Sequence, residues 1–332
     1  MAESTTFAQI GKIAAIAELF EGTPYKAWEN SRFETDGKSR VVTSTRVFSE
    51  GLDFDLVYFP LRHLGHKCVT AVTGELCAQM AKARSLSVVL GLSAKLDFPQ
   101  VQELWSGVVS AAKQYGYSRL SLDLQPSING LSISISAAGE CSMLTAKRRL
   151  AAHSKDLICV SGRLGAAYLG QQVLEHEKKG FDHNAESHPA LERYRMQVGA
   201  YLHPELDTDI VARLEDAAIY PSYGYFINRG LSDALLRLSR DSGLGAKVYA
   251  GKLPFEGNSF QLGKDLDIDP ISAAMNGGDD FQLLFVIPIL SVEKFRKDFQ
   301  TFDIIGHLAL PDAGTTLVTP DGVELPISAQ GW

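Results

Sequence analysis

Apolar residues at Ile10, Ile13, Ile16, Leu19 and Phe20 recur at helical spacing, so the first periodic segment predicts a helix. Arg40–Phe48 alternates weakly and is rich in Val and Thr, which predicts a strand. Residues 64–84 form a mixed segment, helical from about Lys67. Ser87–Ser93 (SVVLGLS) is a short apolar run that predicts a buried strand, and Val101–Tyr115 is an amphipathic helix closed by Gly116. Gly130–Ala137 (GLSISISA) alternates strictly and is the clearest strand signal in the chain.

In the second half, DLICVSGRLGAAYLGQQVLEHE reads as strand, glycine turn and helix. Lys178–Pro189 is polar and predicts a loop. Asp207–Ala217 and Ser232–Asp241 predict helices; Leu231, Leu235 and Leu238 share one face of the second, and Gly243 suits its C-terminal cap. Phe281–Pro288 predicts a strand and Val292–Phe299 a helix. Thr316–Val318 and Val323–Pro326 flank Asp321-Gly322, a hairpin signal. The basic stretch Lys147–Lys155 lacks a clear period and marks the expected boundary between domains 1–148 and 149–332. Strands mix with helices on both sides of it, so the expected class is α+β in two domains.

Composition narrows the function. A chain of 332 residues with 45% hydrophobic content can bury two cores. A net charge of −7 argues against a general nucleic-acid binder. Cys68, Cys77, Cys141 and Cys159 show no CxxC spacing and read as reduced thiols. The first twenty residues are too polar for a signal peptide, and no apolar run approaches the ~20 residues of a membrane span. The expectation is a cytoplasmic protein without membrane or nucleic-acid partners. His176, His183 and His188 lie near Glu175, Glu177 and Asp182 without regular ligand spacing, which favours a solvated loop over a metal site. SGLGA and NGGDD are glycine turns that fit neither a P-loop nor a dinucleotide fingerprint, and no GxSxG motif appears.

Several longer stretches share one resemblance. EGLDFDLVYFPLRHLGHK, DLICVSGRLGAAYLG, INRGLSDALLRLSRDSGLGAKVYAGKLP and MNGGDDFQLLFVIP occur in the order, and nearly the wording, of motifs in the thiamine-monophosphate kinases. The IGH triplet and the terminal QGW also fit, so the resemblance runs nearly end to end. It places the chain in the aminoimidazole-ribonucleotide-synthetase-like (AIR-synthase-like) superfamily. That implies an N-terminal domain whose sheet pairs with a two-fold mate into a barrel-like homodimer core, beside a C-terminal α/β domain. It also implies a cleft in which aspartates hold ATP and magnesium ions while thiamine monophosphate becomes the diphosphate.

Motif by motif, those aspartates are missing. The family's GDDAAV aligns with Trp28–Phe33 and keeps one acid, Glu29. TTD aligns with Ser44-Thr45-Arg46, which puts Arg46 at a metal aspartate, and the substrate histidine of VHF is Asp53. The N-SD motif retains Glu75 as its acid, and the GTP turn is Ala81-Lys82-Ala83. GGDTT aligns with Ser121–Gln125; Asp123 survives without its glycines. SGD becomes Ser161-Gly162-Arg163, and the DISDGL corner becomes Phe226–Leu231, with Phe226 and Arg229 in place of acids. By resemblance, Arg149 matches a nucleotide-contacting arginine, Asp279 and Asp280 keep an acidic pair, and Trp332 matches an aromatic that packs on substrate.

Phosphoryl transfer between two phosphorylated molecules relies on positioning and on Mg²⁺ neutralisation. Each Asp-to-Arg exchange moves the local charge by two units, and one unit at ~4 Å is worth roughly 4 kcal/mol at an effective dielectric of ~20. The expectation is therefore a degenerate metal site without cofactor in a dimeric binding or interaction protein, its partner a protein or a phosphorylated small molecule. The alternative is an ATP-dependent kinase with a rebuilt site, in which Glu29, Glu75, Asp123, Asp279 and Asp280 carry a reduced metal set and Arg149 contacts ATP. Two roles stand open for Arg46, Arg163 and Arg229. They hold phosphate directly, helped by Arg149, or they pair internally with Glu75, Asp123, Asp279 and Asp280.

Overall fold

In the computed structural model, which describes residues 32–34, 37–183 and 191–329, two sheets lie in sequence along the chain. The first is built on β1 (Arg32–Glu34), β2 (Ser39–Ser49), β3 (Lys82–Leu92), β4 (Arg119–Pro126) and β5 (Ser132–Ser142), in the order β1-β2-β5-β3-β4. β5 buries Ile133, Ile135 and Ala137 and leaves the intervening serines half-buried, as its strict alternation predicts. It sits at the centre, antiparallel to β2 along eleven paired positions and antiparallel to β3.

Helix α1 (Leu61–Ala78) packs on β2 and β5 with one side and reaches the second sheet with the other. That double contact explains why almost every residue from Leu64 to Ala78 is buried, leaving its pattern only weakly amphipathic. It ends at Ala78, earlier than the sequence predicts; Met80, with φ 59°, turns the chain, which re-enters the sheet at Lys82, five residues before the predicted strand. Helix α2 (Phe98–Gln114) starts with a capping box between Asp97 and Gln100 and ends at Gly116, whose φ is 76°. It carries the chain from β3 to the parallel strand β4, an exposed edge along which Leu120, Leu122 and Leu124 face solvent.

After α3 (Met143–Arg148) the second sheet begins. Its strands are β6 (Leu157–Ser161), β7 (Tyr223–Ile227), β8 (Gly245–Tyr249), β9 (Gln282–Ile287), β10 (Phe302–Ala309), β11 (Thr315–Val318) and β12 (Glu324–Pro326), in the order β12-β11-β8-β10-β6-β9-β7. β11 and β12 form the predicted antiparallel hairpin. Helices α4 (Ala166–His183), α5 (Arg195–Leu202), α6 (Ile210–Asp216), α7 (Leu231–Ser242), α8 (Ser259–Leu266), α9 (Pro270–Asn276) and α10 (Val292–Asp298) connect these strands. α4 continues through residues 178–183, which the polar sequence predicts as loop. The helix predicted over Ile10–Phe20 lies outside the described residues. Among the described residues no helix is long and apolar enough to cross a membrane.

Candidate functional site

A cavity of about 360 Å³ lies between β2, α1, α7 and the turn that follows β7. Three sequence periods converge on it. Val42 and Phe48 of β2 are buried, so Ser44 and Arg46, at even spacing between them, share that face and turn toward the cavity. On α1, Ala71, Glu75 and the cap residue Gln79 are four apart and form one stripe. On α7, Asp233, Arg237 and Asp241 repeat at the same spacing, joined by Arg240. Between them lies the corner Asn228-Arg229-Gly230. Gly230 has φ 88°, and a Cβ there would meet the Met275 carbonyl oxygen at 2.5 Å, so the corner requires glycine.

Arg46 stands where the resemblance implies a metal-binding aspartate. Its Nη2 lies 3.2 Å from Asp279 Oδ1 and 3.9 Å from Asp53, and its guanidinium stacks 4.6 Å from the Phe48 ring centroid. Its Nη1 is buried without a hydrogen-bond partner among the described residues. Asp279 has a second cation, Lys67, at 2.8 Å. Lys67 is 1% exposed, and its ammonium sits 3.6 Å from the Tyr201 ring centroid, with Phe59 and Phe281 close by. Burial works to raise the Asp279 pKa, but Lys67 and Arg46 outweigh it and hold the carboxyl below its ordinary range.

Asp279 belongs to a bent loop in which Gly278, Asp279 and Phe281 have φ of 83°, 58° and 52°. Backbone bonds from the Asp279 N–H to Asn228 O and from the Phe281 N–H to Ile227 O pin it to the corner. A left-handed Asp is tolerated, but a left-handed Phe costs on the order of 1–3 kcal/mol and needs support. The Phe281 ring supplies it by burial against Phe226, with centroids 5.4 Å apart.

The Phe226 position has become core. Its ring is fully buried over Gly74, where any Cβ would fall within 2.4 Å of it. The other acids are engaged. Glu75 lies 3.5 Å from Arg237 and accepts a hydrogen bond from Asn228 Nδ2. Asp233 pairs with Arg237 at 2.9 Å. Asp241 pairs with Arg240 and accepts from the Tyr225 hydroxyl at 2.7 Å. Asp280 is buried and accepts the Gly165 and Ala167 N–H groups; burial pushes its pKa up to about 7.

Of the pairings expected for the substituted arginines, the structure contains Arg46 with Asp279 and corrects the rest. Asp123 is exposed on edge strand β4, outside the cavity, where it accepts from the Leu124 N–H. Arg163 turns outward to Asp303 at 3.6 Å, both about half exposed. Arg149 is tied to the backbone, donating to Pro221 O and Gln79 O. Asp53 caps the Ser49 N–H at 2.8 Å. Glu29 and Trp332 lie outside the described residues, as do the side chains of His183 and His188, while His176 is exposed on α4. Arg237, Arg240 and Asp241 were not anticipated, although the Asp-Arg-Asp ladder at intervals of four is visible in the sequence.

Arg229 differs from the other arginines. It lines the cavity, stays exposed, and makes no ion pair among the described residues. Partial desolvation and then the Arg46 charge push its pKa below the ordinary range, with Asp233 opposing them.

A magnesium site needs several oxygen ligands in octahedral array. Among the described residues no group of three or more His, Cys, Asp or Glu side chains is placed to hold a metal ion. Each cavity acid already faces a guanidinium, and the corner where the resemblance implies two acids presents the phenyl ring of Phe226 and the guanidinium of Arg229. The described residues therefore do not fit a magnesium cluster.

No protein-family model matches the chain. Among curated proteins it is similar to the thiamine-monophosphate kinase of Aquifex aeolicus, at 25% identity over 249 residues (75% of this chain and 76% of that protein). It is 26% identical to that of Methanospirillum hungatei over 289 residues, 86% of each. Among solved structures, thiamine monophosphate kinase from Aquifex aeolicus superposes with a TM-score of 0.74 at 22% identity, covering 95% of this chain and 97% of that one. A structure of AaThiL complexed with AMPPCP and TMP gives 0.79 at 21% identity, covering 100% and 99%. The hydrogenase maturation protein HypE in complex with ATP gives 0.62 at 16% identity, covering 98% and 95%. The fold is the AIR-synthase-like one these proteins share.

Proposed function

As a divergent relative of the thiamine-monophosphate kinases, this chain is, we propose, a binding protein that has kept the family cleft and given up its metal chemistry. One observation carries the reading: Arg46, in the seat of a metal aspartate, closes on Asp279, whose other oxygen faces Lys67. Removing a buried carboxylate from such a pair to ligate magnesium would leave two cations uncompensated, at about 3–5 kcal/mol for each broken pair. Phe226 supports the same reading, since an apolar ring fills the position of a second ligand. The chain pairs with a second copy through the β4 edge, where Leu120, Leu122 and Leu124 are otherwise exposed.

The relatives favour a second reading. They share the name thiamine-monophosphate kinase, which supports an ATP-dependent phosphotransferase with a site rebuilt from Glu29, Glu75, Asp123, Asp279 and Asp280 and with Arg149 on ATP; of these acids Glu75 lines the cavity, whereas Asp123 lies outside it. One assay separates the two. The purified chain is incubated with ATP, magnesium and thiamine monophosphate, and thiamine diphosphate is followed by chromatography. The binding-protein reading expects none above a protein-free control; turnover abolished by E75Q would establish the kinase.

A further inference from the structure

Three histidines meet where the end of α5 lies against α1. On α1, His63, His66 and Thr70 follow one another at helical spacing and form a stripe distinct from the cavity stripe of Ala71, Glu75 and Gln79. His203, which caps α5, stacks on His66 with ring centroids 4.3 Å apart and planes 21° apart, and meets the His63 ring edge-on at 5.1 Å. His66 is 6% exposed; its ring nitrogens lie 3.2 Å from Gln114 Oε1 of α2 and 3.3 Å from the Thr70 hydroxyl, and the Tyr115 ring packs beside it. His63 Nδ1 is buried without a hydrogen-bond partner among the described residues. His203 is exposed and covers the other two. Ring faces and edges meet here rather than converging nitrogens, and the trio is not placed to hold a metal ion.

Stacked imidazoles are compatible while they are neutral. Protons on two of them would set like charges face to face. The charged groups around the trio are Arg62 on α1, Glu103 on α2 and Glu205 just beyond His203. For both His63 and His66, burial is the leading influence and disfavours a proton; the neighbouring imidazoles add to it, and Arg62 adds to it at His63. The Gln114 hydrogen bond and the two glutamates oppose this without overcoming it, so both rings lie below the ordinary value of 6.5. The Tyr115 hydroxyl, pushed up to about 12, stays neutral. The sign follows. With the rings released into water, the opened segment binds protons that the closed one refuses. Closure is therefore favoured above 6.5 and is lost as pH falls below it. The same end of α5 carries Tyr201, which faces the Lys67 ammonium at 3.6 Å and donates to Asp53 O at 3.2 Å.

We infer that His63, His66 and His203 form an acid-sensitive latch between α1 and the end of α5: neutral stacked rings hold residues 199–206 in place, and proton uptake by the trio releases them. Release carries Tyr201 away from Lys67, so acidification withdraws the aromatic cover from a cation that holds Asp279. The latch is independent of whether the cavity turns over a substrate.

The test is hydrogen–deuterium exchange of this chain, read by mass spectrometry from about pH 7.5 to about pH 5 and corrected for the intrinsic pH dependence of amide exchange. An opening that takes up one proton becomes up to about tenfold more favourable for each pH unit below the free histidine value. Protection of residues 199–206 should therefore fall by about tenfold over that range, while the central strand β5 does not follow. Local exchange also separates the latch from Asp280, whose titration moves global stability in the opposite direction. H203F keeps a ring over His66 and carries no proton. It should start near the wild-type protection at the upper pH and show a fall smaller by about threefold or more. A second readout is ring titration by nuclear magnetic resonance of the chain labelled with ¹⁵N-histidine, with H63Q and H66Q identifying the two resonances. The His63 and His66 rings should titrate below 6.5, and both should move up in H203F, because the charge that His203 acquires is gone. Protection of residues 199–206 that does not change with pH, a fall in H203F as large as in wild type, or ring titrations that H203F leaves in place overturns the inference.

Discussion

Replacing Lys67 with methionine probes the charge cluster of Lys67, Arg46 and Asp279 beside the cavity. The ammonium is 1% exposed and 2.8 Å from Asp279, so K67M removes one of two cations from a carboxylate that cannot rehydrate freely. Breaking a buried pair by deleting one partner costs about 3–5 kcal/mol. Two features pull toward the lower end: Asp279 keeps Arg46 at 3.2 Å, and the methionine thioether recovers contact with Tyr201, Phe59 and Phe281. The expected loss is about 3 kcal/mol, read as a lower urea midpoint by circular dichroism and tryptophan fluorescence together. The paired variant K67M/D279N removes both the ammonium and the carboxylate that needs it. It should cost less than the sum of the two single changes by about 2 kcal/mol, the signature of direct coupling. A K67M midpoint indistinguishable from wild type, or a double variant that equals the sum, would refute the claim that internal cations hold Asp279.

F226A should cost about 3–5 kcal/mol by opening a cavity over Gly74, checked by thermal melting, while G74A should destabilise by collision with the same ring. G230A should lower stability through its φ of 88° and its contact with Met275 O, read in the same melts. The two cleft aspartates predict opposite pH responses. Asp279 has a depressed folded pKa, so its contribution is present above the unfolded value of 3.8 and is lost as pH falls below it. Asp280 has a folded pKa of about 7, so stability falls as pH rises from 3.8 through 7, and D280N should remove that slope in urea titrations.

The fold was legible where period and burial coincide. β5 alternates because one face packs on helices, and α7 carries Leu231, Leu235 and Leu238 on one face because that face meets the sheet. α1 blurs for the opposite reason: it is buried between two sheets, so its period fades, and its end at Ala78 is followed by a backbone turn at Met80. β4 does alternate, with Leu120, Leu122 and Leu124 set against Ser121 and Asp123, but these residues also occupy a motif position, and that competing alignment hides the strand. In the site, Arg46, Phe226 and Arg229 could be singled out because each stands where the resemblance implies an acid. Their partners could not, since which carboxylate meets which guanidinium depends on how two sheets approach. Lys67 is the clearest case: a lysine in a helix reads as solvated, and only the aromatic cage and Asp279 explain its burial.

In the proposed reading, fixed cations occupy the places where divalent ions would be coordinated. Mn²⁺ offers the most direct test, because its electron paramagnetic resonance signal is lost when the aquo ion is bound by a protein. Titrated with this chain at neutral pH, the signal of free Mn²⁺ should persist undiminished. Loss of the signal in proportion to protein, with two ions taken up per chain and release on E75Q, would contradict it.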